Sequence, residues 1–430
     1  MADFWMEPRR RVAVIGGGIS GMGAARALAP RCEVTLFEAG PRLGGHACTV
    51  MGGRNRDLPV DIGFIVYNEA NYPHLTRLFR ELDVPVAEAA MTFGVSIDGG
   101  RLEYALKDLG ALFAQRRNAL RPQFWRLMRD ILRFNTRAHF YARDDGLTLR
   151  EMLEDLQLSD WFRDYYILPF SGAIWSTPVA GVLDFPAAAL VRFFQNHNLL
   201  GIKGQHQWYT VQGGSREYVT RLEAALAAAG VTLRTGQPVE TVLREPGGVR
   251  VKPAGGDWQS FDEVVFACHS DDAIAMLGDP SEDERQSVGA IAYQPNEIVL
   301  HGDARMMPKR RSAWASWVYT EERDRRSDRI DLTYWMNSLQ PIPGNEQCFV
   351  TLNTTRAIDP GLVWHRATFR HPVYVTGTLT AQKRVEALNG TQNTWFCGAW
   401  LRNGFHEDGL ATGIETAERL LARLPVGVAA

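Results

Sequence analysis

An α/β fold built on a parallel sheet is predicted, and three observations predict it. A short apolar run, Val12-Ala13-Val14-Ile15, breaks into glycines at 16, 18 and 21 and then into Ala24-Ala25-Arg26-Ala27-Leu28. A second apolar run, Val34-Thr35-Leu36-Phe37, ends at Glu38, 22 residues after Gly16. The third is a set of alternating stretches within about 290–390, such as Ile298-Val299-Leu300-His301 and Ile330-Asp331-Leu332-Thr333-Tyr334-Trp335. Strand, tight turn and helix in that order, closed by a carboxylate at the end of a second strand, form the Rossmann-like βαβ unit that holds a dinucleotide. The alternating runs suit a second, α+β unit.

Each residue of the turn has a physical task. Gly16 lets the chain turn, and Gly18 lets the backbone approach a pyrophosphate. Gly21 lets the helix pack closely on the strand. Ile19 and Ser20 open that helix, whose N-terminal amides and dipole favour an anion. Glu38 is placed to bond an adenosine ribose, and its charge would repel the 2′-phosphate of NADP. A glycine-rich turn in some other α/β protein is the competing reading, and the spacing to Glu38 argues against it.

Length and composition set further bounds. The chain has 430 residues, is 45% hydrophobic and carries a net charge of −2. This suits a large core and about two domains, and points to no nucleic acid. Five cysteines, at 32, 48, 268, 348 and 397, show no C-x-x-C spacing, so reduced thiols, no metal site and a cytoplasmic setting are expected. No secretory leader is expected in Met1 to Arg11 and no spanning helix anywhere. The dinucleotide-binding domain is expected to be discontinuous, from 9–66, 206–289 and 391–424. A substrate-binding domain then comprises 67–205 and 290–390, mostly helical over 67–205 with an Arg-rich part at about 105–200. No second strand–GxGxxG–helix unit exists for an NADPH domain.

The residues after Glu38 identify the dinucleotide by resemblance. Ala39-Gly40-Pro41-Arg42-Leu43-Gly44-Gly45-His46 resembles the extended fingerprint of FAD enzymes in the amine oxidase and phytoene desaturase superfamily. The resemblance continues at Val60-Asp61-Ile62-Gly63-Phe64, at Val239-Glu240-Thr241-Val242 and at Val264-Val265-Phe266-Ala267-Cys268. It closes at Phe396-Cys397-Gly398-Ala399-Trp400 and Asp408-Gly409-Leu410-Ala411-Thr412-Gly413. It implies a noncovalent FAD. Ala39, Arg42, Gly44, Gly45 and His46 would lie along its diphosphate and flavin, and Gly63 and Phe64 beside the ring. Val239 would lie at adenine, with Cys268 nearby, and Gly398, Asp408, Gly409 and Leu410 at the flavin pyrimidine. Many amine oxidases of the superfamily carry a lysine on a substrate-domain strand. The matching segment here offers Asn296 instead, which weakens the case for an amine substrate.

No HExxH, nucleophile elbow or Cys–His pair is present, and a flavin needs few protein groups beyond those that position a C–H bond. If a proton must also leave, a base is required. His406 and Glu407, just before the helix expected to face the flavin, are the candidates, although capping alone explains acids there. Trp335, Asn337 and Trp400 are candidate pocket residues, with core packing as the alternative. The resemblance adds Tyr67 and Asn68 near the ring.

Over 115–143 the chain has eight arginines against Asp130 alone. Arg126, Arg129, Arg133 and Arg137 fall on one helical stripe, with Phe124, Leu127, Met128, Ile131 and Leu132 expected on the other side. The alternatives are a solvated face on a packed helix and an anionic membrane surface. Four further segments are similar to the bacterial predicted NAD/FAD-binding flavoproteins: Val60 to Asn68, Ser312 to Trp317, Thr333 to Asn337 and Gly404 to Gly409. Genes of these flavoproteins tend to lie beside those of cyclopropane-fatty-acid-synthase-like methyltransferases. That resemblance implies an acyl-chain substrate, such as a methylated unsaturated fatty acid on the way to a furan fatty acid. The expected function is FAD-dependent dehydrogenation or desaturation of a lipid acyl chain. The alternatives are an amine oxidase, an FAD-dependent fatty acid isomerase and a non-catalytic lipid-presenting partner of a methyltransferase.

Overall fold

The computed structural model describes residues 9–143, 146–175, 179–201, 206–322, 331–375 and 377–424. Residues 1–8 of the segment read for a leader lie outside them.

The first strand, β1 (Arg10–Ile15), and the second, β2 (Cys32–Phe37), flank the helix α1 (Ile19–Leu28). They belong to a five-stranded sheet in the order Thr232–Arg234, β2, β1, Glu263–Phe266, Thr394–Phe396, in which every pairing is parallel. The strand order reverses beside β1, so the glycine turn opens at a topological switch point, where α/β sheets bind ligands. A three-stranded antiparallel meander (Val239–Glu245, Gly248–Pro253, Gln259–Phe261) fills the connection before Glu263–Phe266. The last helix, His406–Arg423, packs on α1 through its glycines. A Cβ at Gly413 would lie 2.3 Å from the Ser20 carbonyl oxygen, and one at Gly409 2.8 Å from Ser20 Oγ.

The second sheet has seven strands in the order Val363–Val373, Ala292–His301, Phe349–Leu352, Leu332–Trp335, Trp317–Glu321, Phe93–Ile97, Leu102–Ala105. All pairings are antiparallel except that of Trp317–Glu321 with Phe93–Ile97. The last two strands lie in the stretch expected to be mostly helical. All five residues of Phe93–Ile97 are buried, so the alternation that marks a half-exposed strand is absent. The signal that remained was Asp98-Gly99, both at positive φ in the turn of a hairpin.

The expected domain break at 66 falls inside a continuous arrangement. Val66–Tyr67 and Val86–Ala89 pair with Trp208–Val211. The helix Pro73–Glu81 places Leu75, Leu78 and Phe79 in one core with Leu28, Tyr218 and Leu420. Helices between Leu109 and Asn196 build a separate, aromatic core around Phe124, Phe134, Phe162 and Phe194, which also takes in Val95, Tyr104 and Tyr319 of the second sheet.

Candidate active site

A cavity of about 1320 Å³ runs from the glycine turn into the aromatic core. At one end it is lined by Gly16, Gly18, Ile19, Ser20, Glu38 and Ala39. Gly16 sits at φ +113°, and a Cβ there would lie 2.8 Å from the Ala267 carbonyl carbon. A Cβ at Gly21 would stand 1.8 Å from the Gly16 carbonyl oxygen, so only glycine lets α1 meet the turn. At Gly18 a Cβ would meet no protein atom within 4 Å. Its crowding partner would be the ligand, as the sequence predicts for a residue against a pyrophosphate.

Glu38 accepts hydrogen bonds from the Gly17 and Gly40 amides, each at 2.7 Å. These fix the carboxylate at the rim, and its remaining lone pairs can take a ribose hydroxyl. Arg42 is turned to a different task from the one implied for it. Its guanidinium donates to the carbonyls of Leu43, Gly45 and Ala47, so it shapes the Gly44-Gly45 turn and is absent from the cavity wall. Both glycines take positive φ and line the cavity.

The middle of the cavity is walled by His46, Gly63, Phe64, Val239, Cys268, Gly398, Trp400 and His406. A Cβ at Gly63 would lie 2.0 Å from the His46 carbonyl oxygen, so the chain passes with no side chain to spare. Trp400 donates from Nε1 to the Cys268 carbonyl. His46 Nε2 is buried without a hydrogen-bond partner among the described residues. An orphaned donor or acceptor of this kind, in a cavity that also holds the glycine turn and Glu38 at the sheet's switch point, fits a bound FAD.

His406 stacks on Phe64 with ring centroids 4.1 Å apart, and its Nε2 lies 2.6 Å from Tyr218 Oη. Burial pushes its imidazole down to about 3, so it is neutral at ordinary pH and a weak proton acceptor. His269 and His371, whose rings both lie against His46, are pushed down by burial to about 4 and about 3. Asn296, at the place of the family's lysine, lies 3.0 Å from His371 Nδ1 through Nδ2 and accepts from Asn353. It holds a cavity-lining histidine and offers no charge of its own. Sequence reasoning missed His269, His371 and Arg370. Arg370 pairs with Asp271 and Asp272, which gather with His269, so a guanidinium already balances those acids.

Five of the expected catalytic residues lie outside the cavity wall. Glu407 accepts from the amides of His74 and Leu75 and from His74 Nδ1. It therefore clamps the first turn of Pro73–Glu81, where amides lack partners of their own. Tyr67 is buried among Tyr72, Phe79 and Tyr209. Asn68 caps its own turn by accepting from Asn71 N. Trp335 donates to Gln347, with Arg311 over its ring. Strand alternation turns its neighbour Tyr334 into the cavity instead. Asn337 bridges the Glu346 carbonyl and the Cys348 amide. Three cofactor candidates are structural as well. Asp408 accepts from the amides of Asn403 and Phe405 as the cap of the last helix. Gly409 and Leu410 pack on α1, Leu410 against Gly23.

Beyond the histidines the cavity is apolar: Phe93, Tyr166, Phe170, Phe193, Trp208 and Trp317 line it. Among the described residues, the charged ones of the wall are Glu38, the Asp272–Arg370 pair, and Lys107 with Asp108 at the far end.

A family model described as flavin containing amine oxidoreductase matches residues 19–302. The chain is 26% identical over 338 residues to the hydroxyneurosporene desaturase of Cereibacter sphaeroides, covering 72% of this chain and 63% of that one. It is 26% identical over 283 residues to the carotenoid phi-ring synthase of Streptomyces griseus, covering 60% and 52%. The chain thus spans less than two thirds of these curated relatives. Among solved structures, a CLA-producing fatty acid isomerase from P. acnes superposes with TM-score 0.69 at 16% identity, over 95% of this chain and 98% of that one. Putrescine oxidase bound to putrescine superposes with TM-score 0.68 at 16% identity, over 97% and 100%. At such identity these structures show the fold. With two thirds of its length matched and a dinucleotide cradle in place, the chain belongs to the flavin containing amine oxidoreductase family, and its cofactor is FAD.

Proposed function

We propose that the protein is an FAD-dependent oxidoreductase that dehydrogenates a lipid acyl chain, a methylated unsaturated fatty acid being the substrate class it suits. The observation that carries this reading is the aromatic arm of the cavity. Between the histidines and Lys107 the described residues of its wall include no charged side chain. An ammonium substrate there would be desolvated without a counter-charge, at a cost of several kcal/mol. An alkyl chain would instead gain about 0.8 kcal/mol per buried methylene.

Bound FAD would supply the hydride acceptor, and the proton released with the hydride would pass to the neutral imidazole of His406 or to a bound water. The chain supplies position and exclusion of water. Phe93, Phe170 and Phe193 hold the alkyl segment along the arm, while the Phe64–His406 stack closes one wall. His406 keeps its Nε2 on Tyr218 Oη, and Asn296 fixes the ring of His371. These neutral imidazoles orient donors without placing a cation beside the chain. A hydroxyneurosporene desaturase and a fatty acid isomerase among the similar proteins agree with this reading. An isomerase would use the same arm with no net oxidation.

The test is anaerobic mixing of the holoprotein with detergent-dispersed methylated unsaturated lipids, following flavin absorbance near about 450 nm. Bleaching, with a new double bond in the recovered lipid, is the expected result. Bleaching by small amines but by no lipid overturns the proposal. Lipid conversion without bleaching selects the isomerase.

A further inference from the structure

The basic stretch that the sequence singled out is left unused by the cofactor site and the aromatic arm. The described residues include nine large hydrophobic side chains that are exposed. Five of them, Leu109 (75%), Leu120 (85%), Trp125 (53%), Leu132 (49%) and Phe140 (74%), fall between 109 and 140. Leu132 was expected on the packed side of its helix, Pro122–Arg137. The packed line is instead Phe124, Leu127, Asp130 and Phe134. Trp125 and Leu132, seven residues apart, share the outer face about two turns from each other.

Arginines surround that line. Arg126, Arg133 and Arg137 make no ion pair among the described residues. The one acid of the stretch, Asp130, is fully buried and accepts from the Ser159 amide, so it offers them little compensation. Trp125 is held in place: its Nε1 donates to the Ala119 carbonyl and its ring packs on Phe113 at 5.7 Å.

The same face borders the open end of the cavity. Leu109, three-quarters exposed, also lines the cavity, as do Lys107, Leu112, Ile131 and Asn135. Lys107 is exposed without an ion pair among the described residues, and Asn135 Oδ1 is buried without a partner. A chain inserted from this end would leave its polar head among these groups.

We propose that this face seats on an anionic lipid bilayer and that the cavity takes its acyl chain from that bilayer past Leu109. The proposal rests on the acyl-chain reading of the cavity. Exposed Leu, Trp and Phe within a basic rim suit the boundary of head groups and hydrocarbon, and an arginine stem can lie on that boundary with its charge in the head groups. No helix among the described residues is long and apolar enough to cross a membrane, so contact would be with one leaflet. Nucleic acid would match the charge and leave the apolar side chains in water.

The test is co-sedimentation of the holoprotein with vesicles of phosphatidylcholine alone or with roughly one third phosphatidylglycerol, near physiological salt. Binding is expected only to the anionic vesicles. Replacing Arg126, Arg133 and Arg137 with Gln should weaken it about a hundredfold, since each cation near such a surface contributes roughly fivefold. Leu132→Ala with Phe140→Ala, both exposed, should weaken it about tenfold with flavin content unchanged. The arginine variant should also bleach more slowly with vesicle lipid and at the wild-type rate with detergent-dispersed lipid. Equal binding to both vesicle types, wild-type binding by the variants, or duplex DNA bound as tightly through the same arginines overturns the proposal. Bleaching in detergent without vesicle binding overturns it and leaves the acyl-chain reading standing. Vesicle binding with neither bleaching by nor conversion of any acyl lipid overturns both.

Discussion

The two ends of the cavity are made of different material. At the cofactor end the wall is largely backbone: Gly16, Gly18, Gly44, Gly45, Gly63 and Gly398 present amides and carbonyls, and one carboxylate sets the rim. At the far end the wall is side chain, contributed by Phe93, Tyr166, Phe170, Phe193, Trp208 and Trp317 from separate strands and helices. A backbone wall depends on conformations and close approaches that a Cβ would spoil. A side-chain wall depends on volume, which several residue types can fill. The first should fail abruptly under small changes, and the second should degrade gradually.

The largest effect is expected at Gly16→Ala. Its φ of +113° and the 2.8 Å approach to Ala267 together cost about 2 kcal/mol or more. Flavin content after purification should fall at least about tenfold, as such an energy implies. Full occupancy would show that the backbone wall tolerates side chains, and the contrast would collapse. Phe193→Ala should act on the other end, lowering stability by about 3 kcal/mol in denaturant titrations while flavin content holds. Loss of flavin in that variant would mean that the two ends are coupled.

Acid should strain the histidine wall before the glycine wall. Burial pushes His197, His269, His301, His371 and His406 down to between about 3 and about 4. The unfolded chain, with ordinary imidazoles, binds more protons between there and about 6.5. Stability from these groups is therefore present above that value and is lost as pH falls. Burial raises Asp61 and Asp408 to about 6, and these two work the other way, gaining stability as pH falls through about 6. Five against two gives a net loss, so Tm should drop between about pH 7 and 5. His371→Gln and His406→Gln should flatten that drop, and an unchanged slope would show that these rings are not buried.

A smaller change is expected for Glu407→Gln, which weakens the clamp on the His74 and Leu75 amides. A loss of about 1–2 kcal/mol in stability with unaltered flavin reduction is expected. A large fall in reduction rate at full stability would return Glu407 to the chemistry. Trp335→Phe and Asn337→Ala should leave reduction unchanged within about twofold, both residues being engaged outside the cavity.

The expected site residues that line the cavity and those that do not divide along the same line. Gly16, Gly18, Gly63 and Glu38 were legible because each meets a local geometric demand that few residue types satisfy. Glu407, Asp408, Trp335 and Asn337 carry chemistry-bearing groups at suggestive places, and local sequence does not say which way they point. Two are settled by helix capping, one by strand alternation and one by a bridge to a loop nine residues on. His269 and His371 gave no pattern at all, since they come from segments about a hundred residues apart and converge on the ring of His46.

By itself, the sequence determined the parallel sheet, the glycine turn, the acid at the end of β2 and the excess of arginine in 115–143, all of which come from short-range spacing and residue type. The tertiary structure alone decided that Phe93–Ile97 and Leu102–Ala105 are strands, that residues 73–81 share the core of the first sheet, and that the aromatic arm opens beside Leu109. Those outcomes depend on which faces are covered on both sides, and burial on both sides removes the periodicity by which a sequence announces its structure.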